Sequence, residues 1–221
     1  MKINKVAAII PAYNEQDIIA EVVAAAKKSD LIDEVIVVSD GSTDKTVTRA
    51  RAAGASKVLD LKKNLGKGMA MVTGVEQTKA EVIVFLDADV HGLKPGHIKK
   101  IVDPVLRGSV VMNIGVIDRG RFISNLAGYM PLISGERALQ RFVIERIPKE
   151  YLQGFKIETA LNYYCRSRRL PYDFVFLPGV SIKKKIEKVG FFPGLWQYFK
   201  MIFEIIDAMI VLRWAKVKKI F

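Results

Sequence analysis

Two carboxylates one residue apart, Asp87 and Asp89, close the apolar run Val82-Ile83-Val84-Phe85-Leu86. A short unbroken run of this kind reads as a strand buried on both faces of a parallel sheet. Carboxylates do not belong in that interior, so the pair marks where the strand leaves the core. The carboxyl ends of strands are where open α/β sheets hold ligands. Two anions there, in a chain with 35 Lys+Arg against 23 Asp+Glu, need a cationic partner. A divalent ion carrying a phosphate-bearing substrate meets that need, since hard cations prefer carboxylate oxygen. For an isolated Asp-x-Asp the ordinary alternative is a helix cap or a surface turn.

Other polar residues follow other apolar runs. Asn14 and Glu15 come after Val6 to Ile10, and Asp40 and Asp44 after Glu34 to Val38. In a parallel sheet those ends share one edge and converge on one cleft. Asp40 and Glu15 suit the donors of a base and a ribose, while Lys67 and a bound metal suit phosphate. Gly41, Gly66 and Gly68 let a backbone approach a flat base or a phosphate closely. Farther along, Glu158 stands at an expected helix start. It is a general base, a group that orients acceptor hydroxyls, or a first-turn glutamate complementing the helix dipole. Arg119, Arg121 and Arg137 offer bidentate pairing to an acidic acceptor group, against the commoner reading of solvated surface arginines. His91 follows Asp89 closely enough to be a candidate ligand, although a loop histidine is the plainer reading.

The elements that must position these residues alternate between strand and helix. The pattern predicts a strand over Val6–Ile10 ended by Pro11, then a helix opened by Asn14-Glu15 with Ile18, Ile19, Val22, Val23 and Ala26 on its apolar face. A second strand over Glu34–Val38, a helix from Lys45 to Ala53 and a short strand at Lys57–Leu59 follow. Asn64-Leu65-Gly66-Lys67-Gly68 then leads into a helix from Met69 to Thr78, and Val82–Leu86 is the fourth strand. Pro95–Leu106 reads as a helix, Val110–Val116 as a strand, Gly154–Leu161 as a helix start and Tyr172–Leu177 as a late strand. Alternation of this kind predicts βαβ units and a mostly parallel α/β sheet flanked by helices.

At 221 residues, half of them hydrophobic, the chain is long enough for one globular domain and an appendage. A single cysteine, Cys165, excludes an internal disulfide, and the start shows no apolar signal core, so a cytoplasmic location is expected. The net charge of +12 favours anionic partners, and residues 183–221 carry much of it. Between Phe191 and Trp214, a narrow polar stripe of Gln197, Lys200, Glu204 and Asp207 divides an otherwise apolar cylinder. Lysines flank this 186–221 tail and Trp196, Tyr198 and Trp214 lie near its ends. It is expected to pack on the domain, form a homodimer, or lie as a peripheral anchor on the inner face of an anionic membrane, too short between charges to span it. Nucleic acid is not an expected partner, because the positive charge is tail-weighted and lacks an aromatic platform.

Four segments in order, Pro11-Ala12-Tyr13-Asn14-Glu15, Asp40-Gly41-Ser42-Thr43-Asp44, Asn64-Leu65-Gly66-Lys67-Gly68 and Asp87-Ala88-Asp89, resemble family 2 glycosyltransferases of the GT-A fold. The resemblance implies a nucleotide-sugar donor, UDP- or GDP-linked, and Mg²⁺ or Mn²⁺. It implies that Ala12 and Glu15 line the nucleoside, Asp40 meets the base and Lys67 the nucleotide. Asp87 would lie near ribose or metal, and Asp89 would ligate the metal directly. It further implies a glycosyltransferase domain over 1–185, with a nucleotide-binding half (1–118) and an acceptor half (119–185). The second half resembles the glucosyl-3-phosphoglycerate synthase-like enzymes, where Pro131-Leu132-Ile133-Ser134-Gly135-Glu136 and the segment from Gly154 to Glu158 would shape the acceptor side. Those enzymes tend to supply a histidine metal ligand after the last strand, and Gly179-Val180-Ser181-Ile182-Lys183 offers none. The expected activity is sugar transfer to a small phosphorylated or lipid-linked acceptor. The rival readings are a nucleotidyltransferase, which would place a Gly-rich basic loop after the first strand, and a non-catalytic nucleotide-binding or membrane-scaffolding module.

Overall fold

A computed structural model describes residues 4–117, 134–152 and 156–182. The expected segments Arg119 to Ile133, Gly154 and the 186–221 tail lie outside the described residues. The elements run β1 (Val6–Ala12), α1 (Ile19–Lys27), β2 (Glu34–Ser39), α2 (Thr46–Ala52), β3 (Lys57–Asp60), α3 (Lys67–Glu76), β4 (Val82–Phe85) and β5 (Val90–His91). They continue with α4 (Pro95–Leu106), β6 (Met112–Ile117), β7 (Arg137–Gln140), α5 (Arg141–Glu145), α6 (Lys156–Ser167), β8 (Tyr172–Leu177) and β9 (Ser181–Ile182). Seven strands form one sheet in the order β3-β2-β1-β4-β7-β6-β8, and β5 pairs with β9 in a two-stranded ribbon. All neighbours in the large sheet are parallel except β7, which runs antiparallel to both β4 and β6. The expected mostly parallel α/β sheet is therefore the fold.

The central strands are buried on both faces, as their unbroken apolar composition requires. Ala8, Ile10, Val82 and Val84 pack with α1 and α4, while Ala7, Ile9, Ile83 and Phe85 pack with α3, α5 and α6. Each valine, isoleucine or phenylalanine among them contributes about 1.5–3 kcal/mol on removal from water, so these strands anchor the sheet. The strand order turns back between β1 and β4, and the carboxyl ends at that point carry Asn14 and Asp87.

Three expectations are corrected. Pro11 does not end β1: the strand runs to Ala12, with Pro11 opposite Val38. Pairing of β1 with β4 stops at Ile9, so Pro11 has a sheet neighbour on one side only, where a missing N–H is tolerated. The first helix starts at Ile19 rather than Asn14, because Asn14 takes a left-handed conformation (φ 53°) and belongs to the loop. Strand β7 has no counterpart in the expected pattern, since Arg137-Ala138-Leu139-Gln140 is short and begins on a charge.

Helix α4 contains Pro104, whose missing N–H orphans the Lys100 carbonyl four residues back. Asn113, buried on β6, sends its amide Nδ2 to that carbonyl (3.1 Å) and to Ile101 O (3.0 Å). The helix stays docked because a neighbouring side chain supplies the lost donor.

Candidate functional site

The loops after β1 and β2 are stapled to each other before any ligand is considered. Asn14 Oδ1 accepts the Thr43 N–H (2.9 Å), and the Asn14 N–H donates to Ser42 Oγ (3.1 Å). Asp44 accepts from Thr46 N–H (2.9 Å) and Gln16 N–H (3.1 Å), tying the start of α2 to the turn before α1. Although burial opposes it, the Thr46 hydroxyl, which also donates to Asp44, and these two N–H groups hold the Asp44 carboxyl below the usual carboxylate range. The Glu15 N–H donates to Thr46 Oγ1 (2.9 Å). Asn14 thus spends its side chain on the loop that follows Asp40.

Asp40 is buried at the end of β2 and turns into the sheet edge. Its two oxygens accept the N–H groups of Leu65 (2.7 Å) and Gly66 (2.8 Å). That contact fixes the Asn64–Gly66 loop, and Asn64 Oδ1 adds a further bond to Gly66 N (3.1 Å). Gly41 supports the same loop by absence: a Cβ there would come within 2.6 Å of Asn64 N, and its φ is +72°. Space read from sequence as room for a base is filled by the protein's own backbone. Helix α3 follows at once, with Lys67 as its first residue and Gly68 buried behind it.

Lys67 is the centre of the site. Its Nζ lies 2.6 Å from Asp87 Oδ1 and 2.7 Å from Glu158 Oε1. Asp87 follows β4, and Glu158 stands in the first turn of α6, so the ammonium joins the two halves of the chain across the sheet rim. Glu158 is almost wholly buried and Asp87 is 14% exposed at its side chain, so little water screens the contacts. Burial alone would pull the Lys67 ammonium down; Asp87 and then Glu158 override it and raise its proton affinity above the ordinary lysine range. Gly135 packs against the other side of Asp87. A Cβ at Gly135 would stand 2.1 Å from Asp87 Oδ1 and 2.2 Å from Oδ2.

Beneath Asp87 lies a second, fully buried charge cluster. Arg137, at 0% exposure, donates Nε (3.0 Å) and an Nη (2.5 Å) to Ser134 O. Its other Nη reaches Asn162 Oδ1 (3.1 Å) and Glu158 O (3.3 Å). The sequence reading of Arg137 as a ligand for an acidic acceptor is overturned, because its donors are turned inward onto protein. It clamps the Ser134–Glu136 loop to α6 and so sets where Glu158 meets Lys67.

Ser134 Oγ stands 2.5 Å from Gly115 O and 2.8 Å from Glu136 Oε2. One hydroxyl proton cannot serve both, so when it goes to the Gly115 carbonyl the second contact requires a proton on Glu136. Burial, reinforced by Asp87 and opposed by Lys67, pushes the Glu136 carboxyl up to about 8. With Glu136 neutral, Lys67 and Arg137 balance Asp87 and Glu158. Glu136 Oε1 has no hydrogen-bond partner among the described residues. Ser134, Gly135 and Glu136, read from sequence as acceptor-shaping, are all buried and touch Asp87 and the β6 backbone instead. Cys165 is buried on α6 with its thiol pushed up to about 12, which removes it as a nucleophile.

Among the described residues no group of three or more His, Cys, Asp and Glu could hold a metal ion. Asp87 is engaged by Lys67, and Asp89 is half-buried two residues on, with Ala88 buried between them. Such a donor set suits an Mg²⁺ or Mn²⁺ ion that arrives with a diphosphate, one or two carboxylates coming from protein and the rest from phosphate and water. His97 Nδ1 accepts the Lys94 N–H (3.2 Å) at the start of α4, and His91 lies on β5. Tyr13 and Leu65, part of the quoted segments but given no role there, are large, exposed and sit on the loops after β1 and β3. Their apolar type inside otherwise polar loops was the available signal. Pro11 and Ala12 are buried in β1.

The model of the family described as glycosyl transferase family 2 matches residues 7–167. An undecaprenyl-phosphate 4-deoxy-4-formamido-L-arabinose transferase of Sodalis glossinidius is 35% identical over 112 residues, 47% of this chain and 34% of that protein. A glucosyl-3-phosphoglycerate synthase of Mycobacterium tuberculosis is 27% identical over 191 residues, 80% of this chain and 58% of that protein. The chain thus spans between a third and three fifths of these curated relatives' lengths. A crystal structure of the mycobacterial synthase with Mn²⁺, UDP-glucose and phosphoglyceric acid superimposes with a TM-score of 0.77 at 25% identity, covering 95% of this chain and 79% of that one.

Proposed function

The chain belongs to glycosyl transferase family 2, and from that premise we propose that it moves a sugar from a UDP- or GDP-linked donor to a small phosphorylated or lipid-linked acceptor. The observation that carries this reading is the continuous path from Asp40 through Leu65 and Gly66 to Lys67, and from Lys67 to Asp87 and Glu158. Residues from both halves thereby face one sheet rim rather than separate surfaces. Ala12, Glu15 and Asp40 would line the nucleoside, and Lys67 would meet the diphosphate. Mg²⁺ or Mn²⁺ held by Asp89, with Asp87, would supply positive charge at the departing phosphate. Glu158, its carboxylate engaged by Lys67, would orient acceptor hydroxyls. The relatives' acceptors, phosphoglycerate and undecaprenyl phosphate by name, share a phosphate group, which suits a basic chain. Arg119 and Arg121 would contact that phosphate.

A thermal-shift series with UDP-, GDP- and ADP-sugars, each with and without Mn²⁺, tests the reading. Stabilisation by one donor only in the presence of metal, together with slow donor hydrolysis lost in Asp89→Ala, is the expected result. No shift with any donor removes the proposal. No helix among the described residues is long and apolar enough to cross a membrane. Beyond the domain expected over 1–185, the tail over 186–221, apolar with basic flanks, would pack on the domain, pair with a second copy or rest on an anionic membrane surface. Flotation on anionic liposomes with and without residues 186–221 separates the membrane anchor from the other two.

A further inference from the structure

The Lys67 ammonium lies directly against Asp87, a carboxylate proposed above to help hold a divalent ion. Two carboxylate oxygens, Asp87 Oδ1 and Glu158 Oε1, meet the ammonium at 2.6 and 2.7 Å, a cation cradle in which the cation is part of the chain. Gly135 closes the other side of the Asp87 carboxylate so tightly that a Cβ there would stand 2.1 Å from Oδ1 and 2.2 Å from Oδ2. A second cation on that carboxylate would sit against the ammonium in a site with little water to screen the repulsion.

We infer that Lys67 is a tethered counter-ion that keeps free divalent metal off Asp87, and that a donor diphosphate admits the ion by drawing the ammonium onto itself. This rests on the function proposed above and adds an order of events: metal and nucleotide enter as a unit, and the ion binds weakly without the nucleotide. The ammonium has three donors, and two serve the carboxylates, so a phosphate oxygen can engage the third before either pair breaks. Phosphate then takes over part of the charge that Asp87 had balanced. Asp87 becomes available just when an anion arrives to complete the metal's shell. By linkage, the factor by which nucleotide tightens the metal equals the factor by which metal tightens the nucleotide.

Mn²⁺ binding to the full chain, read from loss of the free-ion electron paramagnetic resonance signal, tests this without turnover. Wild type, Lys67→Met and the double variant Lys67→Met/Glu158→Gln are titrated with Mn²⁺ alone and with Mn²⁺ plus UDP or GDP. The double variant matters because it frees Asp87 without leaving two carboxylates facing each other, which could bind metal for a trivial reason. It also carries the comparison if the single variant does not fold. Wild type is expected to bind Mn²⁺ alone weakly and at least tenfold more tightly with nucleotide. Both variants are expected to bind Mn²⁺ alone at least tenfold more tightly than wild type, with the nucleotide-induced gain reduced in proportion. Variants that bind Mn²⁺ alone no more tightly than wild type overturn the role of Lys67. A wild type that binds neither nucleotide with Mn²⁺ counts against the proposed function, while the metal-only comparison still decides for or against Lys67.

Discussion

Replacing Gly135 by alanine adds one methyl group at the most crowded point of the site. Its Cβ would lie 2.1 Å from Asp87 Oδ1, 2.2 Å from Oδ2 and 2.3 Å from Cγ, well inside van der Waals contact. The backbone at Gly135 is not in the left-handed region, so the obstruction is steric and not conformational. The atoms in the way are the end of a short side chain, so the cheapest relief is for the Asp87 carboxylate to swing aside. That movement carries Oδ1 out of hydrogen-bond reach of Lys67, which it now meets at 2.6 Å. Overpacking of this kind costs about 1–3 kcal/mol, less than the stability of a typical domain, so the variant folds. At about 2–4 °C per kcal/mol for a chain of this size, the melting temperature should drop by roughly 2–12 °C. The effect on the site should be larger than the effect on the fold: Mn²⁺-dependent nucleotide binding should weaken by at least ~10-fold, about 1.4 kcal/mol. The control is Gly96→Ala in the first turn of α4, where an added Cβ meets nothing within 4 Å. It should stabilise by up to ~1 kcal/mol and leave binding unchanged. Differential scanning fluorimetry and calorimetric titration with Mn²⁺ and UDP read both quantities. A Gly135→Ala protein with wild-type stability and wild-type binding would refute the wedge between Gly135 and Asp87.

The buried carboxyl of Glu136 makes stability depend on pH. Its folded value near 8 stands above the ordinary 4.5, so the folded state holds the proton more tightly than the unfolded one, and stability falls as pH rises from about 5 through 8. Between pH 6 and 8 the loss should reach up to about 2 kcal/mol in urea unfolding, and Glu136→Gln, which stays neutral, should flatten that slope. Arg137→Lys should destabilise by about 2–4 kcal/mol, since an ammonium cannot reach Ser134 O, Asn162 and Glu158 O together. Asn113→Ala should cost about 1–3 kcal/mol by leaving the Lys100 carbonyl unpaired, and the loss should shrink when Pro104 is also changed to alanine, whose N–H can take that carbonyl. A double-mutant cycle in urea reads that coupling, and additive losses would refute the link between Asn113 and Pro104.

What could be read in advance follows from where the information resides. Strands β1, β2 and β4 announce themselves because burial on both faces demands continuous apolar residues, and α4 because proline opens it and its apolar residues recur at helical spacing. Strand β7 was invisible for the opposite reason: its four residues include a fully buried arginine, and a buried charge is stable only through partners that a linear pattern does not show. The same limit applies to the site. Asp40, Lys67, Asp87 and Glu158 stood out as residue types at strand and helix ends. That Lys67 bonds Glu158, 91 residues away, depends on the antiparallel strand that brings α6 to the rim. Asn14 and Gly41, expected at the nucleotide, have structural tasks that a linear pattern does not show. Both hold neighbouring loops in place, one by hydrogen bonds to Thr43 and Ser42, the other by leaving room for Asn64.

The placement of β7 explains why the chemistry gathers where it does. A purely parallel continuation beyond β4 would send the next strand's carboxyl end to the same rim as Asp87. Because β7 runs the other way, its amino end lies there, and the segment entering it, Ser134-Gly135-Glu136, passes directly under the Asp87 carboxylate. Arg137, the first residue of the strand, is thereby buried at the rim, where it can hold both that segment and α6. Glycine is required at 135 by contact with Asp87, and Ser134 and Glu136 close a buried hydrogen-bond pair against the β6 backbone. Reversing one strand thus places a loop, a helix start and a counter-charge around Lys67 at once. Substitutions in that loop should therefore alter Lys67 chemistry before they alter the fold, whereas equal changes in volume at Ile83 or Ile9, deep between the layers, should do the reverse.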